Sequence, residues 1–141
     1  MTVSWRCPMK IKFRGKRLRS SEWVHGFYYE ERGFSYITVV TDKPGEIPTH
    51  LNVPVRPKTV GQYIELKDVN DRKIFEGDIV KHAEGEYSFI GVITKDRYVF
   101  YIKGNTDNFD LEDVSNAVDG TTSLQVIGNI HDNPEYLEVS E

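Results

Sequence analysis

Four histidines, one cysteine and scattered carboxylates are the residues of this chain that could serve as nucleophiles, bases or metal ligands. Their spacing speaks against each role. His25, His50, His82 and His131 lack the short intervals that let ligands converge on one ion. Cys7 lies in a stretch that reads as an N-terminal tail, so a Cys–His nucleophile pair is not expected. The start Asp68-Val69-Asn70 is reminiscent of a calcium loop, but its sixth position is Lys73 and not Gly, and its twelfth is Ile79 and not Glu. No Gly-rich phosphate loop precedes a helix pattern, and no Gly-x-Ser-x-Gly elbow occurs. Glu76 and Asp78 flank Gly77, which is more simply a tight turn than an acid–base pair. The expectation is a protein with no cofactor, no metal and no catalytic constellation, and hence not an enzyme.

A second kind of chemistry has more material. Lys10, Lys12, Arg14, Lys16, Arg17 and Arg19 form a ten-residue window of cations without an acid. Tyr28, Tyr36, Tyr87, Tyr98 and Tyr101 sit on strand-like segments, where bases could stack. Against a nucleic-acid site stand the low isoelectric point, about 5.6, and the economy of using these aromatics to fill a small β core. Charge is also divided along the chain. Residues 1–103 hold all 18 Lys and Arg, whereas 104–141 hold nine of the 22 acids and no cation. Two readings fit: each sign solvates its own surface, or the basic segment lies against the acidic one, within a subunit or between subunits.

The elements that would position these residues are mostly strands. Lys10, Lys12 and Arg14 alternate with Ile11 and Phe13, the period of a half-buried strand. Trp23–Tyr29 and Phe34–Val40 are rich in aromatic and β-branched residues and flank the turn residues Glu30-Glu31-Arg32-Gly33. Residues 41–58 contain four of the six prolines and read as a long loop, with at most a short edge strand at Leu51–Val53. Further strands are expected near 62–66, 74–75, 79–80, 87–94, 98–102 and 124–130. Asp110–Val118 is the best helical segment, with Asp110 as cap and Leu111, Val114 and Val118 on one face. Asn133-Pro134-Glu135 resembles a second, short helix start.

The most distinctive stretch is Thr59–Lys81. Gln62–Leu66 alternates, Asp68-Val-Asn-Asp-Arg72 reverses the chain through Asn70 and Asp71, and Ile74-Phe75 pairs back. Gly77-Asp78 then turns into Ile79-Val80. Gly77 is placed where the backbone needs a conformation that side chains disfavour. Together with the opening Lys10-Ile-Lys-Phe-Arg-Gly-Lys16 and the closing Val126-Ile-Gly-Asn-Ile130 and Asn133-Pro-Glu135, this segment resembles the YopX family of phage and prophage proteins. The resemblance covers most of residues 9–139. It departs at Asn70-Asp71, where the family usually has Asn-Gly. The resemblance implies a small phage-encoded protein with no assigned catalytic residues, and a higher oligomer.

The fold expected is mainly β with antiparallel strands and one or two short helical turns. Residues 1–8 would be a loose tail and 9–57 an N-terminal β lobe. That lobe would pack on 58–141, a small, partly open SH3-like barrel; this last comparison is one of fold alone. No apolar run is long enough to span a bilayer and no signal-peptide pattern opens the chain. The expected compartment is therefore the cytoplasm, that of the host for a phage-encoded chain. The function expected is a non-catalytic accessory module that self-assembles or binds a host or phage protein. Nucleic-acid binding through Lys10–Arg19 is the alternative.

Overall fold

The computed structural model describes residues 12–41, 44–82, 89–105, 107–116 and 118–138. They form a mainly β protein of antiparallel sheets, none closed into a barrel. The chain divides into two compact units, 1–62 and 63–141. The division falls after Gln62, so the proline-rich stretch belongs wholly to the N-terminal unit.

That unit contains Phe13–Lys16 (β1), Trp23–Glu31 (β2), Phe34–Thr41 (β3) and Thr49–Val55 (β4), followed by one 3₁₀ turn at Pro57–Thr59. The next strand, Gly61–Lys67 (β5), begins here, with Gly61 and Gln62 pairing with Arg14 and Phe13. β2 and β3 are joined by Arg32 and Gly33, both at positive φ (+53° and +82°), as a two-residue hairpin turn requires. β4 extends the sequence reading, which made 41–58 a long loop with at most a short edge strand at Leu51–Val53: the strand is there, but it runs over Thr49–Val55. Its seven residues pair with all but the first of β3, from Ser35↔Val55 to Thr41↔Thr49. Pro54 is tolerated because a strand residue's N and C=O point to the same side. Its carbonyl accepts from Leu18 N–H at 3.1 Å, away from β3, so the missing N–H costs that ladder nothing. Arg17 and Val55 form one isolated antiparallel bridge, drawing the sheet round toward its own edge. The core on the inner side is Val24, Ile37, Val53 and Val55, with Phe13, Tyr28, Val39 and Val60 packed on it.

The C-terminal unit takes the rest of β5 and continues with Lys73–Phe75 (β6), Asp78–His82 (β7), Phe89–Asp96 (β8), Val99–Gly104 (β9) and Asn108–Asp110 (β10). Ser115–Asn116 (β11), Thr121–Thr122 (β12), Leu124–Asn129 (β13) and the single helical turn Glu135–Glu138 (α1) complete it. Five strands form an antiparallel sheet in the order β10-β9-β8-β7-β13. β6 pairs antiparallel with β5, while β12 meets β5 in parallel at Thr121↔Lys67. The register of β5 on β6 shifts between Tyr63↔Phe75 and Lys67↔Lys73. Glu65, at φ +66°, lies in that interval, a bulge of the kind that leaves one residue left-handed. Ile74, Val80, Ile93, Ile102 and Leu124 are almost completely buried. Each such side chain contributes roughly 1.5–3 kcal/mol relative to exposure.

The helix read at Asp110–Val118 is a correction to the sequence reading. Only Leu111–Val114 is helical, as one 3₁₀ turn, and Asp110 makes no side-chain cap bond to it. Leu111 and Val114 pack on the core as an apolar face would, but Val118 is 96% exposed beyond β11. Two apolar residues three apart suit a single turn as well as a helix, and Ser115-Asn116 prefers to pair with Thr121-Thr122. No helix of the described residues is long and apolar enough to cross a membrane.

Candidate functional site

Three places hold the residues singled out from the sequence or exposed by the fold. The first is the distinctive Thr59–Lys81 stretch. Asp68, 4% exposed, follows β5 directly. Its Oδ1 accepts the N–H groups of Asn70 and Arg72, both at 2.9 Å, and its Oδ2 accepts Val126 N–H of β13 at 3.0 Å. The reversal is closed by Asp71 N–H to Asp68 O at 3.0 Å and Asp68 N–H to Arg72 O at 2.8 Å. Asp71 stands at φ +63°, so this non-glycine residue adopts the left-handed conformation within the turn. Asp78, 1% exposed, accepts Phe75 N–H at 2.8 Å across the Glu76-Gly77 turn, where Gly77 has φ +92°. The two buried carboxylates thus bind backbone amides and fix the path of the chain. Their oxygens are not presented to a substrate.

The second place is the basic window. Lys10 lies outside the described residues, and Lys12 is half-buried just ahead of β1. Arg14 and Lys16 are buried, at 6% and 9% exposure. The Arg14 guanidinium lies 4.7 Å and the Lys16 ammonium 5.5 Å from the Trp23 ring centroid, which is cation–π packing. The register explains it: Lys16 is opposite Trp23 and Arg14 opposite His25, so all four share one face of the β1–β2 pair. Of the described cations in the window, Arg19 is exposed and Arg17 is partly so. Arg17 Nε is bound by Glu22 Oε1 at 2.7 Å, and Arg19 is exposed at the turn after β1.

The third place was not read from the sequence. Because Val24, Tyr28, Ile37, Val53 and Val55 point inward, the alternate residues of β2, β3 and β4 point outward. The outer rows are Tyr29↔Tyr36↔Pro54 and Phe27↔Thr38↔Asn52, with Phe34 opposite Glu31. Phe27 and Phe34 are 53% and 56% exposed. The Tyr29 and Tyr36 rings stack with centroids 5.1 Å apart and planes 14° from parallel. Desolvation, with Glu31 and Tyr36 beside it, raises the Tyr29 hydroxyl above its ordinary range. Tyr28 faces the other way, against Phe13, with its hydroxyl on Glu30 and Ser35. The signal was present: Phe27-Tyr28-Tyr29 puts aromatics on both faces of one strand, and only one face can be core. Of the other tyrosines considered for stacking, Tyr98 is exposed in the β8–β9 turn and Tyr101 is half-buried on β9, whereas Tyr87 lies outside the described residues.

Elsewhere, His82 Nδ1 lies 3.0 Å from Ser123 Oγ, and the imidazole stacks on Phe89. Ser123 also gives its N–H to Val114 O at 3.0 Å, so this Ser–His contact ties β7 to the turn before β13. Among the described residues no three His, Cys, Asp or Glu side chains are grouped as a metal site.

A family model described as YopX protein matches residues 12–138. No curated protein matches the chain.

Proposed function

Because the chain belongs to the YopX protein family, we propose that it is a non-catalytic, phage- or prophage-encoded accessory module that self-associates through the outer face of β2, β3 and β4. The observation that carries this reading is the outward pair Phe27 and Phe34, each more than half exposed, with the half-buried, stacked Tyr29 and Tyr36 in the row between them. Four large rings on one sheet face form the kind of contiguous apolar surface that marks an interaction site. The face is also self-complementary in charge, since Glu31 and the Arg32 of the hairpin tip stand side by side at its end. A two-fold arrangement can bring each next to its opposite in the other copy. In this reading the protein works in the host cytoplasm and binds no cofactor.

Nucleic-acid binding has weaker support, because Arg14 and Lys16 are buried and packed on Trp23. Size exclusion with light scattering tests the leading reading. The wild type is expected to be larger than a monomer, and Phe34→Glu or Tyr36→Glu to become monomeric with an unchanged far-UV spectrum. A wild type that stays monomeric over a wide concentration range overturns it. Anisotropy titration with single- and double-stranded oligonucleotides is the companion measurement. Salt-sensitive binding there would favour the alternative.

A further inference from the structure

Arg17, Leu18, Arg19, Ser20, Val53 and Pro54 line a cavity of about 420 Å³ within the N-terminal unit, in the size range of ligand pockets. Its apolar lining is Leu18, 42% exposed, and the exposed Pro54, with the core residue Val53 almost fully buried behind them. Its rim is cationic. Arg19 is exposed, and Arg56, just after β4, stands next to the lining, donating from Nη2 to Ser20 O at 3.2 Å. Arg17 is partly neutralised by Glu22. The surrounding backbone is fixed by Arg17 N–H to Glu22 O at 2.9 Å, Leu18 N–H to Pro54 O at 3.1 Å and Arg56 N–H to Lys16 O at 2.9 Å. The cavity is therefore formed before any ligand arrives, which lowers the ordering cost of binding.

We propose that this cavity binds an acidic peptide segment of a partner protein, with an aliphatic side chain on Leu18 and Pro54 and an adjacent carboxylate on Arg19 and the neighbouring Arg56. Three arginines stand against one glutamate, and a guanidinium fork matches a carboxylate. A nucleic-acid strand would also suit the arginines, but its bases need aromatic platforms, and the lining has none. The chain's own acidic C-terminal stretch is not the occupant chosen, because its aliphatic residue Leu137 already lines a different cavity with Ile90, Val92 and Thr94. The site shares Pro54 with the outer face of β4, but residues 17–20 lie between β1 and β2. Leu18→Ser and Arg19→Glu therefore leave the rings of the aromatic face in place and test this site separately from self-association.

The test is fluorescence anisotropy of the labelled peptide Asp-Glu-Leu-Asp-Glu against the full chain. Saturable binding is expected, weakened about tenfold or more by Arg19→Glu, by Leu18→Ser and by replacing the peptide's Leu with Ser. Far-UV spectra of both variants confirm that they fold. An affinity that Arg19→Glu leaves unchanged, or that the Ser peptide matches, overturns the proposal. So does tighter binding at this site by an oligothymidylate or by a peptide of residues 133–141.

Discussion

Asp68 holds Val126, 58 positions later in the chain, through a 3.0 Å bond from the Val126 N–H to its carboxylate. The same side chain closes the turn that follows β5, through Asn70 and Arg72. A backbone bond runs beside it, from Val69 N–H to Leu124 O at 2.8 Å. One buried acid therefore sets a local reversal and a long-range strand contact together. This relationship gives the distinctive segment of the sequence its physical meaning: it marks where the C-terminal unit is tied.

Replacing Asp68 by Ala strands three amide donors, two of them within its own turn. An unsatisfied buried donor costs about 1–3 kcal/mol, although the turn amides can reach water more easily than Val126. A loss of about 3 kcal/mol is expected for Asp68→Ala and about half that for Asp68→Asn, which keeps one acceptor oxygen. Urea denaturation reads it as a lowered midpoint with an unchanged slope. A loss for Ala below about 0.5 kcal/mol would mean that solvent replaces the carboxylate and that the tie is not structural.

Asp71 and Gly77 predict changes of opposite sign. Asp71 holds φ +63° as a non-glycine residue, so Asp71→Gly removes left-handed strain of about 1 kcal/mol. It also gives up an exposed contact with Lys67 at 3.5 Å, worth a few tenths of a kcal/mol. The net expectation is a small gain, about 0.5 kcal/mol, seen as a raised Tm. Gly77→Ala forces a β-carbon into φ +92° and should cost about 1–2 kcal/mol. Equal shifts in the same direction would show that the two turns relax on substitution.

How far this was legible depends on the range of the cause. The Arg32-Gly33 and Gly77 reversals, and the alternation of β2, β3 and β8, follow from neighbouring residues, and the sequence pattern carries them. β4 was read as no more than a short edge strand at Leu51–Val53 because proline was counted as a breaker without knowing which edge of the strand its nitrogen would face. The helix at 110–118 was misplaced because Leu111 and Val114 fit one 3₁₀ turn as well as a longer helix. Arg14 and Lys16 look like surface cations until the register puts Trp23 opposite Lys16. The outward aromatic face required knowing which of Phe27, Tyr28 and Tyr29 the core takes, and Tyr28 is taken through Phe13 of β1 and the core of Val24, Ile37, Val53 and Val55, most of them distant in sequence.

Ionisation of two tyrosines should limit stability at high pH. Burial first, then the hydrogen bond to Glu30, raises Tyr28. Burial first, then the charges of Glu65 and Asp71, raises Tyr63. A raised tyrosine is neutral in both states below its unfolded pKa of about 10, and stability is lost as pH climbs from there through the folded value. Tyr63→Phe should flatten the fall in Tm measured above that pH. Asp119 acts at the other end. Side-chain and backbone hydrogen bonds from Thr121 lower its pKa, so its contribution is present above the usual carboxylate range and fades as pH falls through the lowered value. Asp119→Asn should therefore lower Tm at neutral pH and leave it nearly unchanged in strong acid. A constant Tm difference at every pH would assign the effect to packing and not to charge.

The basic window should separate into structural and surface members when its residues are neutralised one at a time. Arg14 and Lys16 are buried with their cations over Trp23. A desolvated cation–π contact of this kind is worth about 2 kcal/mol. Arg14→Gln and Lys16→Gln should therefore each lower the unfolding free energy by about 1–2 kcal/mol, with some of the loss coming from the packing of the long side chains. Arg19→Gln, on an exposed turn, should change it by no more than about 0.5 kcal/mol. The measurement is chemical denaturation of all three variants beside the wild type. If Arg14→Gln and Lys16→Gln instead leave stability intact while abolishing oligonucleotide binding, the window is a nucleic-acid contact after all. The expected pattern, stability lost at the two buried cations and kept at the exposed one, makes the run of positive charge a property of how β1 meets β2.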